Sequence, residues 1–485
     1  MYLSILYPIY MKEICDKGMS FQDCELAILR AAVDIAETRQ GKKVASSPEI
    51  KRIITIVENF LKNKKLVCYG GTAINNILPK QDQFYNKELE IPDYDFYSPN
   101  ALNDAKELVD EYVKQGFIEV EAKSGQHHGT YKVFVNFIPV ADISYIPKEL
   151  FNAVKKDAVM VASILYAPPN FLRMAMYLEL SRPAGDVSRW EKVLKRLVLL
   201  NKHYPLTSKE CSHVPFQREM ESKKQTDEIY DIVLNTLVDQ GVVFFGGYAI
   251  SMYAQYMPKH LKNKLKKIPD FDVLSEEPLI TAQIITERLN DNGIKNVKIV
   301  KLPGIGEIIA PHYYIKVDND AVAFIYEPLA CHSYNVIKER GETIKIATID
   351  TMLSFYLAFL YADKPYYDKD RILCMSNYLF QVQDKNRLAQ KGLLRRFSIN
   401  CVGNQETLEG MRAEKAEKYI ELKDKKGTLE YDEWFLRYRP GDINETKTKT
   451  KTKTKTKTKK QQNTNTKTKK HQKNKTNKKK RFGIF

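Results

Sequence analysis

The chain has 485 residues, 43% apolar and 28% charged, which allows about three domains with ordinary cores. No stretch approaches the roughly 18 uninterrupted apolar residues of a membrane span, so a soluble protein with no membrane partner is expected. The net charge of +17 sits at one end: Thr446 to Phe485 holds 16 Lys, one Arg and no acid, leaving 60 basic and 60 acidic groups before it.

The folded part is therefore formally neutral, and unspecific attraction to nucleic acid must come from the basic end or from local patches. Seven cysteines, odd in number and scattered, with no Cys-x-x-Cys pair, point to a reducing compartment and away from zinc.

Met1 to Met11 is apolar but lacks a basic start and a small-residue cleavage site, so it is expected to pack on the first domain and not to act as a signal peptide. Residues 21–39 read as a helix with Leu26, Leu29, Ala32, Val33 and Ala36 on its core face. Ser47-Pro48-Glu49 is a helix start with serine as cap. Ile50, Ile53, Ile54, Val57 and Leu61 keep helical spacing into a strand at Leu66.

That strand runs into Tyr69-Gly70-Gly71-Thr72-Ala73-Ile74-Asn75, a tight turn opening a helix. Glycine lets the backbone approach an anion, and the free N–H groups and the helix dipole then face it, so this is a candidate phosphate seat. Next comes Ile91-Pro92-Asp93-Tyr94-Asp95-Phe96. Alternation along a strand puts Asp93 and Asp95 on one face and Tyr94 on the other, and two hard carboxylates side by side suit Mg²⁺. Asp-x-Asp also occurs at 270/272, 318/320 and 368/370, so the spacing alone says little; the order strand, Gly-Gly-Thr, helix, Asp-x-Asp says more.

Asn100 is expected to cap a helix bearing Leu102, Ala105, Leu108, Val109 and Tyr112, ended by Gly116. Strands are predicted at 117–122, 131–137 and 139–146, with His127 and His128 at a turn. Asp142 is a lone acid in the apolar run Val140-Ala141-Asp142-Ile143, costly to bury unless a cation holds it. Residues 171–202 read as helix in two pieces broken at 181–186. Around the break lie Arg173, Arg182, Arg189, Lys192, Lys195 and Arg196; Arg182 and Lys192 are taken as candidates to reach a triphosphate.

The chain then repeats. Phe245-Gly246-Gly247-Tyr248 echoes the seat, and Ile268-Pro269-Asp270-Phe271-Asp272 echoes the acid pair, which argues for a duplicated domain. Thr72 becomes Tyr248, and aligning Tyr145 with Tyr326 sets Ala323 opposite Asp142, so the copy lacks the third acid; Asp318 or Asp320 replaces it only under another register. Residues 386–445 carry basic-aromatic clusters at Arg395-Arg396-Phe397 and Trp434 to Pro440, which can stack on bases but more often pack with snorkelling arginines. The Thr-Lys run from 446 has almost nothing to bury and is expected to be disordered.

Three acids beside a phosphate seat suit two-metal nucleotidyl transfer, with Asp93, Asp95 and Asp142 as catalytic metal ligands; P-loop and Rossmann fingerprints are absent. Gly70-Gly71-Thr72, Asp93-x-Asp95 and Asp142 resemble the polymerase-β-type nucleotidyltransferase motif. The longer stretches Tyr69 to Ile74, Pro92 to Pro99 and Val140 to Pro147 resemble the catalytic subunit of poly(A) polymerases from large cytoplasmic DNA viruses, of the African swine fever and giant-virus type, and more distantly poxviral. The likeness runs over roughly residues 45–445.

The resemblance implies template-independent addition of AMP from ATP to an mRNA 3′ end, with Mg²⁺ or Mn²⁺ at the three acids and Gly70, Gly71 and Thr72 on the triphosphate. It also implies a host-cytoplasmic viral factory or virion setting; because the folded part is neutral, a homodimer or a processivity partner is expected to help grip a long RNA. Residues 79–91 lengthen the gap between the seat and Asp93 and are expected to form an inserted loop. The resulting expectation is an α/β (α+β) chain with an N-terminal helical segment (1–46), a catalytic domain (47–210), a degenerate copy (211–385), an extension (386–445) and the basic tail (446–485). A uridylyl- or CCA-adding enzyme and an inactive RNA-binding subunit are the alternatives.

Overall fold

A computed structural model describes residues 14–15 and 18–440, except 87, 208–210, 212–213, 217–224, 258–270, 307, 340, 363 and 365. The apolar start, Asp270 and the Lys-Thr tail lie outside these residues. Residues up to Arg439 form one compact unit.

Two helices come first, α1 (Phe21–Ala45) and α2 (Pro48–Lys64). α2 buries Ile50, Ile53, Val57 and Leu61 as its spacing predicts, while Ile54 is only half-buried; Ser47 makes no side-chain cap and the start rests on Pro48. α1 departs further: Leu26, Leu29 and Val33, read as a core face, are exposed. Periodicity shows that a helix has an apolar stripe, not that a partner surface lies within the chain to receive it.

The first domain continues with β1 (Val67–Cys68), α3 (Gly70–Ile77), β2 (Tyr94–Ser98), α4 (Ala101–Lys114), β3 (Val120–Ser124), β4 (Thr130–Val135) and β5 (Ile138–Tyr145). It closes with α5 (Lys148–Lys156), β6 (Val159–Val161), β7 (Ile164–Tyr166), α6 (Pro169–Leu180) and α7 (Trp190–His203). Its strands lie in the order β3-β4-β5-β2-β1-β7-β6, with β2 parallel to β5 and antiparallel to β1. The predicted strands at 131–137 and 139–146 start and stop earlier because Asn136 and Phe137, at φ 50° and 64°, make the turn between β4 and β5. At the start of α4 the expected Asn100 cap is replaced by Ser98, whose hydroxyl accepts the Asn100 N–H at 2.8 Å and donates to Asp104 at 2.5 Å.

The second domain holds α8 (Thr226–Asp239), β8 (Val243–Phe244), α9 (Gly247–Tyr253), β9 (Phe271–Leu274), α10 (Pro278–Asp291), β10 (Val297–Leu302), β11 (His312–Val317) and β12 (Asp320–Tyr326). After it come β13 (His332–Glu339), β14 (Glu342–Ala347), α11 (Ile349–Phe359) and α12 (Lys369–Lys385). Its order, β10-β11-β12-β9-β8-β14, repeats β3-β4-β5-β2-β1-β7 strand for strand. The copy extends to small devices: Ser275 accepts the Glu277 N–H at 3.2 Å where Ser98 accepts that of Asn100. The sequence repeat is thus a repeat of topology.

The end of the chain ties the two sheets together with β15 (Cys401–Val402), α13 (Leu408–Leu422), α14 (Leu429–Phe435) and β16 (Arg437–Tyr438). β15 extends the second sheet beside β13, and β16 extends the first beside β3. Between the domains α6 lies on α11, with Phe171 edge-on to Tyr361 at 5.1 Å, and the Ser333 N–H donates to the Ser181 carbonyl at 2.9 Å.

The cysteines pair where their spacing gave no sign of it. Cys15–Cys24, Cys211–Cys374 and Cys331–Cys401 are disulfide-bonded, and Cys68 is a buried free thiol. Two of the bridges join residues 163 and 70 positions apart, proximity that spacing along the chain cannot reveal.

Candidate active site

The glycine turn is built against the acid-bearing strand. The Tyr69 N–H donates to the Asp95 carbonyl at 2.9 Å, and the Thr72 hydroxyl, buried, donates to the Asp93 carbonyl at 2.6 Å. The start of α3 is therefore clipped to both acid residues through their backbones. Gly70 adopts φ +72°, and a Cβ there would stand 2.6 Å from Asp95 Oδ2, so glycine is needed for conformation and for space. Thr72, expected beside the phosphate, thus also fixes Asp93.

The three acids come near enough to act on one another's charge. Asp95 on β2 lies directly opposite Asp142 on the parallel strand β5, and Asp93 precedes β2 by one residue. Tyr94 faces the other way, buried, its hydroxyl donating to Glu58 at 2.6 Å. Burial, then the charges of Asp93 and Asp142, push the Asp95 carboxyl up to about 7, against the pull of Lys132 and Arg189. Asp93 is raised as well, by lost hydration and then by Asp142, with Lys132 opposing. Like charges crowded at one place are costly unless a cation shares them.

Lys132, cross-strand neighbour of Asp142, supplies part of that charge through an ion pair to Asp142 Oδ2. The other oxygen, Asp142 Oδ1, is buried without a hydrogen-bond partner. An all-oxygen donor set with an unsatisfied buried carboxylate oxygen fits a hard divalent cation. As placed, though, no group of three or more His, Cys, Asp or Glu side chains among the described residues forms a ready ligand set; Lys132 holds Asp142 instead.

A pocket of about 180 Å³ lies over the turn, lined by Gly71, Thr72, Asn75, Tyr85, Asp93 and Asp95. Neither Arg182 nor Lys192 is among the residues lining this pocket. Arg196 on α7 stands beside the seat, Nη1 2.9 Å from where a Gly71 Cβ would be, and Arg189 is near enough to Asp95 to act on its charge. Lys192 is exposed, one turn before Arg196 on the same helix. Arg182 lies by the second domain, where its charge depresses the buried His332. Arg173 is fully buried and donates to Asn201 at 2.7 Å, and His128 packs on Trp434 at 4.2 Å; both are structural.

Tyr85 went unrecognised, and Arg196 was named only among the basic residues around the helix break, because their positions depend on how α7 and the 79–91 loop fold back. A partial signal existed: Val193, Leu197 and Leu200 mark the buried face of α7, and Arg196 flanks it.

In the second domain the same turn has different neighbours. The Phe245 N–H donates to the Asp272 carbonyl at 2.9 Å, and a Cβ on Gly246 would be 2.0 Å from Asp272 Oδ2, so the glycine-acid contact persists. The register pairs Asp272 with Phe324, so Phe324 and not Ala323 occupies the place of Asp142. The third acid is lost, but one residue away from where sequence alignment set it. Asp320 lies four residues earlier on the same strand, about 13 Å at strand rise, and pairs with Val317 at the other end. The matching pocket shrinks to about 30 Å³, lined by Gly247, Asp272, Tyr356, Phe359 and Tyr367.

Residues 55–186 match the family of poly(A) polymerase catalytic subunits. A protein of African swine fever virus described as a poly(A) polymerase catalytic subunit is 34% identical over 171 residues, 34% of this chain and 36% of that one. A protein of Acanthamoeba polyphaga mimivirus with the same description is 32% identical over 164 residues, 33% of this chain and 27% of that one. The matched stretch spans about a third of these relatives' length. The crystal structure of the Megavirus polyadenylate synthase superposes with a TM-score of 0.72 at 19% identity, covering 91% of both chains. This chain, with its tandem domains in that fold, resembles through its first domain the poly(A) polymerase catalytic subunits of large DNA viruses.

Proposed function

We propose that the chain is a polynucleotide adenylyltransferase that extends RNA 3′ ends with AMP from ATP, without a template. The observation that carries the reading is the convergence of Asp93, Asp95 and Asp142 beside the clipped turn at 70–72. The N-terminus of α3 and Arg196 receive the triphosphate, the N–H groups and guanidinium facing its charge. The RNA 3′-oxygen bonds to the α-phosphorus, the bond to the β-phosphate oxygen breaks, and pyrophosphate leaves; the hydroxyl proton passes to solvent.

Mg²⁺ or Mn²⁺ at Asp93, Asp95 and Asp142 would supply the lowered hydroxyl pKa and the charge that stabilises the leaving group. The chain's own part is orientation. Asp95 and Asp142 are fixed by sheet register, Asp93 by Thr72, and no side-chain nucleophile is needed. Lys132 keeps the acidic cluster partly neutral before substrate arrives.

The second domain, with Phe324 for the third acid and a pocket of only about 30 Å³, serves as scaffold. We assign the Lys-rich end a tethering role on RNA, and a second copy or a processivity partner a share in holding long RNA. The setting we propose is the viral factory in the host cytoplasm and the virion.

Purified chain should be offered an RNA primer and each NTP in turn, with Mg²⁺. Extension with ATP alone is expected. Preference for UTP or CTP would make it a different terminal transferase, and no incorporation would leave an RNA-binding subunit.

A further inference from the structure

The pocket over α3 measures about 180 Å³, below the roughly 300–1,000 Å³ of a site that takes a drug-sized ligand. What narrows it is Tyr85. Its hydroxyl lies 2.6 Å from where a Cβ on Gly71 would stand, the space through which an anion must approach the N–H groups of α3. Arg196 Nη2 donates to that hydroxyl at 2.6 Å, and the guanidinium also packs over the rings of Phe84 and Tyr85 at 4.8 and 5.4 Å.

The segment carrying Tyr85 is held from both sides. Buried Asn75 accepts the N–H groups of Phe84 and Tyr85 through Oδ1, each at 2.8 Å. Asp82 is gripped by His203 at 2.6 Å and by Lys202 at 3.0 Å. The backbone is anchored, and the half-buried Tyr85 side chain is the part left to move.

We propose that Tyr85 is a latch on the phosphate seat. Its hydroxyl occupies the place of a phosphate oxygen, accepting from Arg196, and it must swing away before a triphosphate binds; Arg196 then exchanges the phenol for phosphate oxygens. The inference rests on the triphosphate reading of this site. The exchange is favourable because a neutral phenol offers the guanidinium one bond, whereas a phosphate offers charge-assisted, bidentate ones. While latched, only a fraction of molecules is competent, so apparent affinity is lower than intrinsic affinity by that fraction. Return of Tyr85 behind the departing pyrophosphate helps to clear the seat.

The test is equilibrium binding of inorganic tripolyphosphate with Mg²⁺ to the full chain, to Tyr85→Phe, to Arg196→Gln and to the double variant. Phenylalanine keeps the ring packing and removes only the hydroxyl. Tyr85→Phe should bind about threefold to tenfold more tightly, and Arg196→Gln at least about tenfold more weakly. In the Arg196→Gln background the Tyr85 change should have no effect. Unchanged or weaker binding by Tyr85→Phe, equal tightening in both backgrounds, or no binding by any of the four would overturn the latch. Incorporation by the wild-type chain, measured separately, distinguishes the two failures. Incorporation without this binding pattern sinks the latch alone, and the pattern without incorporation sinks the catalytic reading alone.

Discussion

Asp95 concentrates the chemistry of the site in one carboxyl. Its pKa is pushed up to about 7 from 3.8 by burial and by Asp93 and Asp142, so the folded state holds a proton there that the unfolded state releases from about pH 4 upward. Its contribution to stability is therefore greatest at low pH and falls as pH rises through 7. With chelator present, Asp95→Asn should stabilise the protein at pH 8 by about 1–3 kcal/mol and do little near pH 4, read from thermal melts at both values. Added Mg²⁺ should raise the wild-type melting temperature more at pH 8 than at pH 5.5, because protons and cation compete for the same oxygens. The three acids were legible in the sequence because an acid in an apolar run and an alternating acid pair are each unusual. Lys132 was not, since its place beside Asp142 follows from the pairing of β4 with β5, which one strand's sequence does not specify.

The turn before α3 and its copy before α9 are one structural device built twice. Both bring a glycine against the second acid of a strand, and in both the N–H of the residue before that glycine donates to the acid's carbonyl. Gly70→Ala should cost roughly 1–2 kcal/mol for a left-handed residue and more for the contact with Asp95, measured by denaturant unfolding. Gly71→Ala meets Tyr85 and Arg196 instead and should impair nucleotide binding more than stability. The repeat of these turns was readable by eye. The one-residue error in matching Asp142 to Ala323 arose because equal spacing to the following Tyr and Pro was assumed, whereas the strands register on Ala141 with Ala323.

For the whole molecule, joining is the feature sequence conveyed least. Asp350, 1% exposed, is gripped by Arg396 through both oxygens, at 2.6 and 3.2 Å, fixing the extension to α11. Asp350→Ala should cost about 2–3 kcal/mol by leaving the half-buried Arg396 guanidinium without its charged partner. The strap of β15 and β16 and the Cys211–Cys374 and Cys331–Cys401 bridges act over the same long range. Reduction with dithiothreitol should lower the melting temperature, and thiol counting should find one free cysteine before reduction and seven after. Contacts of this kind join residues with no shared pattern, so composition and periodicity carry no trace of them. The division of labour proposed for the two sheets rests, by contrast, on a loss already visible in the second copy's sequence, where no acid faces Asp272.

That division is tested most directly by primer extension with ATP and Mg²⁺, comparing wild type, Asp142→Asn and Asp272→Asn at matched folding by circular dichroism. Asp142→Asn should reduce incorporation by roughly 100-fold or more, as loss of a group acting in the transition state does, while Asp272→Asn keeps most of it. Retained incorporation in Asp142→Asn, or equal loss in both variants, would contradict a single catalytic centre at Asp93, Asp95 and Asp142.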